Sequence, residues 1–179
     1  MIKDRFISVD VFRGFTIALM IIVNSPGSWG NTFAPLLHAD WHGITLTDFV
    51  YPFFIFIVGV SIVLSNNNKG TSSSPKTILL RSLKIFSLGV FLGFFTEFMY
   101  HVVDSGESLS LSDIRIPGVL QRIALVYLSC AILYNYTNWV QQLIVMLSLL
   151  VLYYISMTFI PVPGIGPGVL EPGKNLAAY

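Results

Sequence analysis

Charge is scarce in this sequence. Only 11% of its 179 residues are Asp, Glu, Lys or Arg, against about a quarter in a soluble domain. The net charge of +1 leaves no broad basic face, so nucleic acid is excluded as a partner. Cys130 is the single cysteine. It rules out an intramolecular disulfide and, within an apolar run, reads as packing. The strict alternation of a membrane barrel strand is also missing. The rest is mostly apolar: 54% hydrophobic residues and a mean hydropathy of +0.75. These values describe an integral membrane protein. The bilayer itself is the first partner.

Met1-Ile2-Lys3-Asp4-Arg5 has the look of a signal-peptide start. No small-residue cleavage site follows, since the run ends in Asn24-Ser25-Pro26-Gly27. The first run is therefore expected to stay as a helix. A spanning helix needs about 20 mostly apolar residues. Five segments meet this: about Ile7 to Asn24, Thr47 to Ser65, Thr77 to Tyr100, Ile116 to Tyr136 and Trp139 to Ile160. Backbone groups in lipid must bond within their own segment. The expected fold is thus all-α, a multi-pass transmembrane bundle of about five spanning helices in a single membrane domain, 1–179.

Loop charges orient the bundle. Lys3 and Arg5 precede the first helix, and Lys69, Lys76, Arg81 and Lys84 surround the link between the second and third. These belong in the cytosol. Glu97, Asp104, Glu107 and Asp113 crowd the next link with Arg115 as its only cation, which places it outside. The N-terminus is then cytosolic, and the segment from Asn24 to Thr45 lies outside. Residues 66–75, rich in Asn and Ser, read as a flexible cytoplasmic linker. Pro161 to Gly168 is a Pro/Gly loop that cannot be helical.

Between the first two spans lies His38-Ala39-Asp40-Trp41-His42-Gly43-Ile44-Thr45-Leu46-Thr47-Asp48. His38 carries the group suited to acid, base or nucleophilic work near neutrality. The plainer alternative is an interfacial histidine bonded to backbone. His42, four residues on, and Asp40 raise a metal site, but a third strong ligand is missing, so no metal is expected. Asp48 opens the second helix behind Thr45 and Thr47. It serves as a helix-end carboxylate, or it orients an imidazole or binds an amine. Asn24 ends the first helix, and its amide suits a turn or a developing oxyanion. Arg122, beside Gln121, sits one to two turns inside the fourth span and needs a partner, for which Asp48 is a candidate. Asp10 and Arg13 form an i, i+3 pair, and Arg13 is placed for a cytosolic phosphate. Gly89 and Gly93 form a GxxxG that favours close helix packing. Trp29, Trp41 and Trp139 fit interfacial belts.

Several blocks together carry a resemblance. Ser8-Val9-Asp10-Val11-Phe12-Arg13-Gly14, Asn24, His38 to Thr45, Thr47 to Phe54, Arg115 to Arg122 and Gly166 to Asn175 strongly resemble the heparan-alpha-glucosaminide N-acetyltransferase family and its bacterial relatives. The resemblance implies a multi-pass acetyltransferase that takes acetyl from cytosolic acetyl-CoA and places it on an amino sugar across the membrane. It implies His38 and Asn24 as active-site residues. Asp48 joins them as orienter or amine holder. Arg13, Arg122, Gln121, Trp41 and His42 are candidates to bind substrate or coenzyme A. The chain lacks the large luminal N-terminal domain of the animal enzyme, and its segment between Asn24 and His38 looks longer. It resembles the N-terminal half of a domain that continues with further helices. Position 42 is not His in the animal pattern, which weakens a metal reading further. A bacterial cytoplasmic membrane is the expected location. Homo-oligomer formation stays open. The rival readings are a transporter, with His38, Asp48 and Arg122 as a proton or solute path, and a non-catalytic membrane protein.

Overall fold

The computed structural model describes residues 6–69, 73–103 and 118–178. The loop bearing Asp104, Glu107, Asp113 and Arg115, together with Lys3 and Arg5, lies outside them. The described residues form five α-helices, three short 3₁₀ turns and no strand. The helices are α1 (Ile7–Asn24), α2 (Val50–Lys69), α3 (Pro75–Val103), α4 (Val119–Tyr136) and α5 (Trp139–Phe159). All five are long and apolar enough to cross a membrane, so the protein is an integral membrane protein. The chain divides into two compact units, Met1–His38 with Thr45–Asn135, and Ala39–Ile44 with Tyr136–Tyr179.

In the first unit, α1 packs on α2 through aromatic rings. Phe12 meets Phe53 edge-on at 5.1 Å and Phe56 at 6.2 Å, the geometry that ring quadrupoles favour. Towards the Asn24 end, Leu19, Val23 and Val50 form a buried cluster that Met20, Leu36 and Phe54 join. Leu36 belongs to the 3₁₀ turn Ala34–Leu36, so this cluster anchors the stretch of chain leading into His38. A second cluster, Ile62, Ile78 and Ala131, ties α2, α3 and α4 together with Tyr127 and Leu128 around it.

Polar groups within the bundle are paired locally or across helices. Thr16, fully buried, donates to the Phe12 carbonyl at 2.8 Å. Ser82 of α3 donates to the Ala124 carbonyl of α4 at 2.9 Å. The 66–75 segment is helical as far as Lys69, and residues 70–72 are outside the described set. Beyond it, Ser73 donates through both its amide and its hydroxyl to buried Asn66, and its carbonyl accepts from Asn135. Pro75 opens α3 at the position where its missing N–H costs nothing, and the Ser74 carbonyl accepts from Thr77 and Ile78.

The α3–α4 seam depends on a glycine. Gln121 of α4 is 2% exposed. A Cβ on Gly89 would stand 2.8 Å from Gln121 Oε1 and 2.9 Å from Leu120 Cβ. Small residues that admit close approach are how membrane helices associate. Gly89, the first glycine of the GxxxG pattern, thus makes a close contact, and the Gln121 side chain fills it.

In the second unit, α5 opens with a reciprocal capping box: Asn138 accepts from the Gln141 amide while Gln141 accepts from the Asn138 amide. No residue of α5 is buried. A helix apolar all round meets the demands of lipid on every face. After it, the Pro/Gly run is non-helical. Val162 and Gly166 exchange hydrogen bonds of 3.1 and 3.0 Å, and Gly166 adopts φ 110°, which side-chain-bearing residues avoid. Nearby, Lys174 lies 2.8 Å from Glu171. That hydrogen bond and the opposite charge hold the Glu171 carboxyl below its usual range and the Lys174 amine above. Both are solvent-exposed, so the pair adds little to stability.

Gly89→Val should force α3 and α4 apart and destabilise the protein by about 1–3 kcal/mol, the usual cost of overpacking. Thermal unfolding of the purified protein in detergent checks this; an unchanged midpoint would mean that the seam does not need glycine.

Candidate active site at the mouth of the second helix

The sequence Thr45-Leu46-Thr47-Asp48-Phe49 turns once as a 3₁₀ segment, Thr47–Phe49, and continues as α2. The turn aims the Asp48 carboxylate back along the chain. Its Oδ2 accepts from the Thr45 amide at 2.8 Å and lies 2.9 Å from the Thr45 hydroxyl. Its Oδ1 lies 2.6 Å from Nδ1 of His38. A carboxylate accepts and does not donate, so the neutral imidazole carries its proton on Nδ1 and its lone pair on Nε2. The His38 side chain is 74% exposed and that of Asp48 26%. The acceptor is thus sheltered while the imidazole faces outward. Of the sequence candidates, these two are brought into direct contact. The exposed ring, held by a carboxylate, can take a proton or attack a carbonyl.

The other candidates are placed differently. Asn24 closes α1, where its Nδ2 donates to the Met20 carbonyl at 2.9 Å. This is helix-end bonding of the kind that satisfies orphan carbonyls, and it leaves the second amide hydrogen available. Gln121 is buried in the α3–α4 seam, whereas Arg122 stands on an exposed face of α4. Trp41 and His42 are exposed and belong to the second unit. Among the described residues, no three His, Cys, Asp or Glu side chains gather to hold a metal ion.

Arg13 leads to a second feature of the first unit. Its Nη2 donates to the Ser61 hydroxyl of α2 at 2.9 Å, and its Nη1 lies 3.5 Å from Asp10. It lines a cavity of about 260 Å³, with Ser61, Asn66, Ser73, Arg81 and Tyr127 among the polar walls and Ile17, Phe54 and Ile57 among the apolar ones. Two guanidinium groups thus border one partly apolar hollow beside the middle of α1, with Arg13 about three turns from Asn24. Arg81 was not singled out from the sequence as a binding residue, since a lysine- and arginine-bearing link reads first as a topology signal. Its place two turns into a spanning helix was the available clue.

The sequence matches the family model of the heparan-alpha-glucosaminide N-acetyltransferase catalytic region over residues 5–173. The chain belongs to this family. Its relatives include heparan-alpha-glucosaminide N-acetyltransferase of Mus musculus, 31% identical over 199 residues and 95% of this chain. The enzyme of that name from Homo sapiens is 32% identical over 203 residues and 96% of this chain. The chain spans 28% of the length of either relative. The matched family region contains both the His38–Asp48 pair and the arginine-lined cavity.

Asp48→Ala should leave the Thr45 amide and the His38 ring without their acceptor, at a local cost of about 1–3 kcal/mol. Hydrogen exchange measured by mass spectrometry should then quicken across residues 37–48. Unchanged exchange there would show that the carboxylate does not organise the turn.

Proposed function

We propose that this chain carries acetyl transfer from acetyl-CoA, supplied on the cytosolic side, to the amine of an amino sugar on the opposite side. The observation that carries the reading is the 2.6 Å contact between His38 Nδ1 and Asp48 Oδ1, with the imidazole left exposed.

The chemistry follows from the free Nε2. An amino-sugar ammonium cannot attack a thioester until it loses a proton. His38 Nε2 accepts that proton, and Asp48 offsets the positive charge that appears on the ring. The amine nitrogen then bonds to the acetyl carbonyl carbon, the C–S bond breaks, and the thiolate of coenzyme A takes the first proton back from His38; the nitrogen's second proton passes to the freed Nε2 and on to water, which leaves the neutral amide. In the two-step variant, Nε2 itself bonds to the carbonyl carbon and releases the thiolate, and the amine displaces the imidazole afterwards. Asn24, with one amide hydrogen uncommitted, serves as donor to the carbonyl oxygen as charge develops.

The donor's entry is supported by the cavity. Arg13 and Arg81, each about two turns inside its helix, line it on the cytosolic side of Asn24 as the loop charges orient the chain, and arginine suits phosphate recognition. The apolar walls suit the pantetheine arm. Arg13 and Asn24 are eleven residues apart on α1, roughly 16 Å at 1.5 Å per residue. An extended pantetheine arm spans a comparable distance, so the phosphates stay at the cytosolic end while the thioester reaches the His38 end.

Membranes holding the full natural protein should transfer labelled acetyl from acetyl-CoA to glucosamine, and His38→Ala should lower the rate by about 100- to 10,000-fold, the usual contribution of a positioned base. Transfer that survives His38→Ala, or none with any amino sugar, overturns the assignment. Arg13→Ala with Arg81→Ala should raise KM for acetyl-CoA about tenfold or more, since each charge-assisted hydrogen bond contributes about 1.5–3 kcal/mol, while KM for the sugar stays put. An unchanged KM for acetyl-CoA would remove the cavity from the donor path.

A further inference from the structure

We infer that Thr45 is a positioning residue for His38, acting on it from two sides at once. This rests on the proposal that His38 does the chemistry, and it assigns Thr45 more than a cap at the start of α2. The Thr45 hydroxyl lies 2.6 Å from the Leu37 carbonyl and 2.9 Å from Asp48 Oδ2, and the Thr45 amide donates to that same Oδ2 at 2.8 Å. Leu37 is the residue immediately before His38. Asp48 is the residue whose other oxygen holds the His38 ring. One side chain therefore fixes both the backbone from which the imidazole springs and the carboxylate that sets its tautomer.

The residue type fits this work. One hydroxyl hydrogen serves two oxygen acceptors, and the shorter contact is to the Leu37 carbonyl. The amide N–H remains on Oδ2 throughout, so the carboxylate keeps a donor when the hydroxyl turns to Leu37. The branched Cβ of threonine restricts χ1, which holds the hydroxyl between its two acceptors. The chain leaves the first unit after His38 and rejoins it at Thr45. The Leu37–Thr45 bond ties these two strands of chain together where they separate. The cluster Leu19, Val23 and Val50, with Leu36 packed on it, gives that tie a fixed base. A histidine on an exposed loop would otherwise sample several orientations, and small misplacements of a reacting group are costly.

The test compares Thr45→Val, which keeps the branch and removes the hydroxyl, with Thr45→Ser, which keeps the hydroxyl. The first readout is nitrogen NMR of the histidine-labelled full natural protein in detergent, with the His38 signal assigned by its loss in His38→Ala. The native protein and Thr45→Ser should show His38 protonated on Nδ1 in the neutral form. Thr45→Val should show a mixture of tautomers. The second readout is kinetic: Thr45→Val should lower kcat by up to about 100-fold with little change in KM for acetyl-CoA, and Thr45→Ser should restore most of it. A single Nδ1 tautomer in Thr45→Val, or equal behaviour of the Val and Ser variants, overturns the inference. Should Thr45→Val fail to fold, Thr45→Ala carries the same comparison. The tautomer readout needs no turnover. Failure of the acetyltransferase reading would appear as absent His38-dependent activity in the native protein, and the role of Thr45 would still be decided by NMR.

Discussion

At the mouth of α2 the two oxygens of the Asp48 carboxylate hold two different parts of the candidate site. One secures the turn that begins α2, through the amide and hydroxyl of Thr45. The other holds the His38 imidazole. The same group thus helps to start the helix and to hold the imidazole. The coupling has a physical reason. A negative charge is favoured at a helix N-terminus, where amide donors are unsatisfied, and a carboxylate placed there is an acceptor for Nδ1–H. Helix and site therefore share one electrostatic origin.

The bundle beneath follows a different economy. Within lipid there is no hydrophobic gain in pressing one apolar helix on another, so packing detail and local hydrogen bonds decide association. Thr16 turns its hydroxyl onto its own helix, Ser82 reaches the α4 backbone, and Gly89 lets α4 approach until Gln121 is covered. The arginines are the exception. Arg13 meets Ser61 and Asp10 beside a hollow instead of filling a seam. Charged groups in spanning helices are expensive to keep, and two guanidinium groups beside one cavity are hard to explain by packing alone.

Much of this arrangement was legible in the sequence. The five apolar runs correspond to the five helices, and α1 ends where Asn24 and Ser25-Pro26 end the apolar pattern. The His38–Asp48 relation was open as one of two roles for Asp48, because the spacing of ten residues across a loop does not fix a contact. Two things were not readable. The α2 helix runs on through Asn66 to Lys69, although Asn and Lys there resemble loop composition, and buried Asn66 finds Ser73 as a partner. Arg81 escaped notice because a cation near the end of a span serves the topology rule before it suggests a ligand. Both failures share a cause: the deciding contact lies outside the residue's own helix, and local pattern carries no record of it.

The separation of the arginine cavity from the histidine site follows from helix geometry. On the proposed reading, residues that meet cytosolic phosphates stay near the water on that side, and a histidine that serves an external sugar stays near the water on the other. A helix of 18 residues keeps Arg13 and Asn24 apart by roughly 16 Å, and neither end can move without exposing backbone to lipid. The substrate, not the protein, has to bridge that distance. A long flexible donor that carries its charge at one end and its reactive thioester at the other meets this demand. A compact acetyl donor would have no reason to engage two arginines so far from the imidazole. On the proposed reading, the spacing between the two features suits a donor about as long as the Arg13–Asn24 separation.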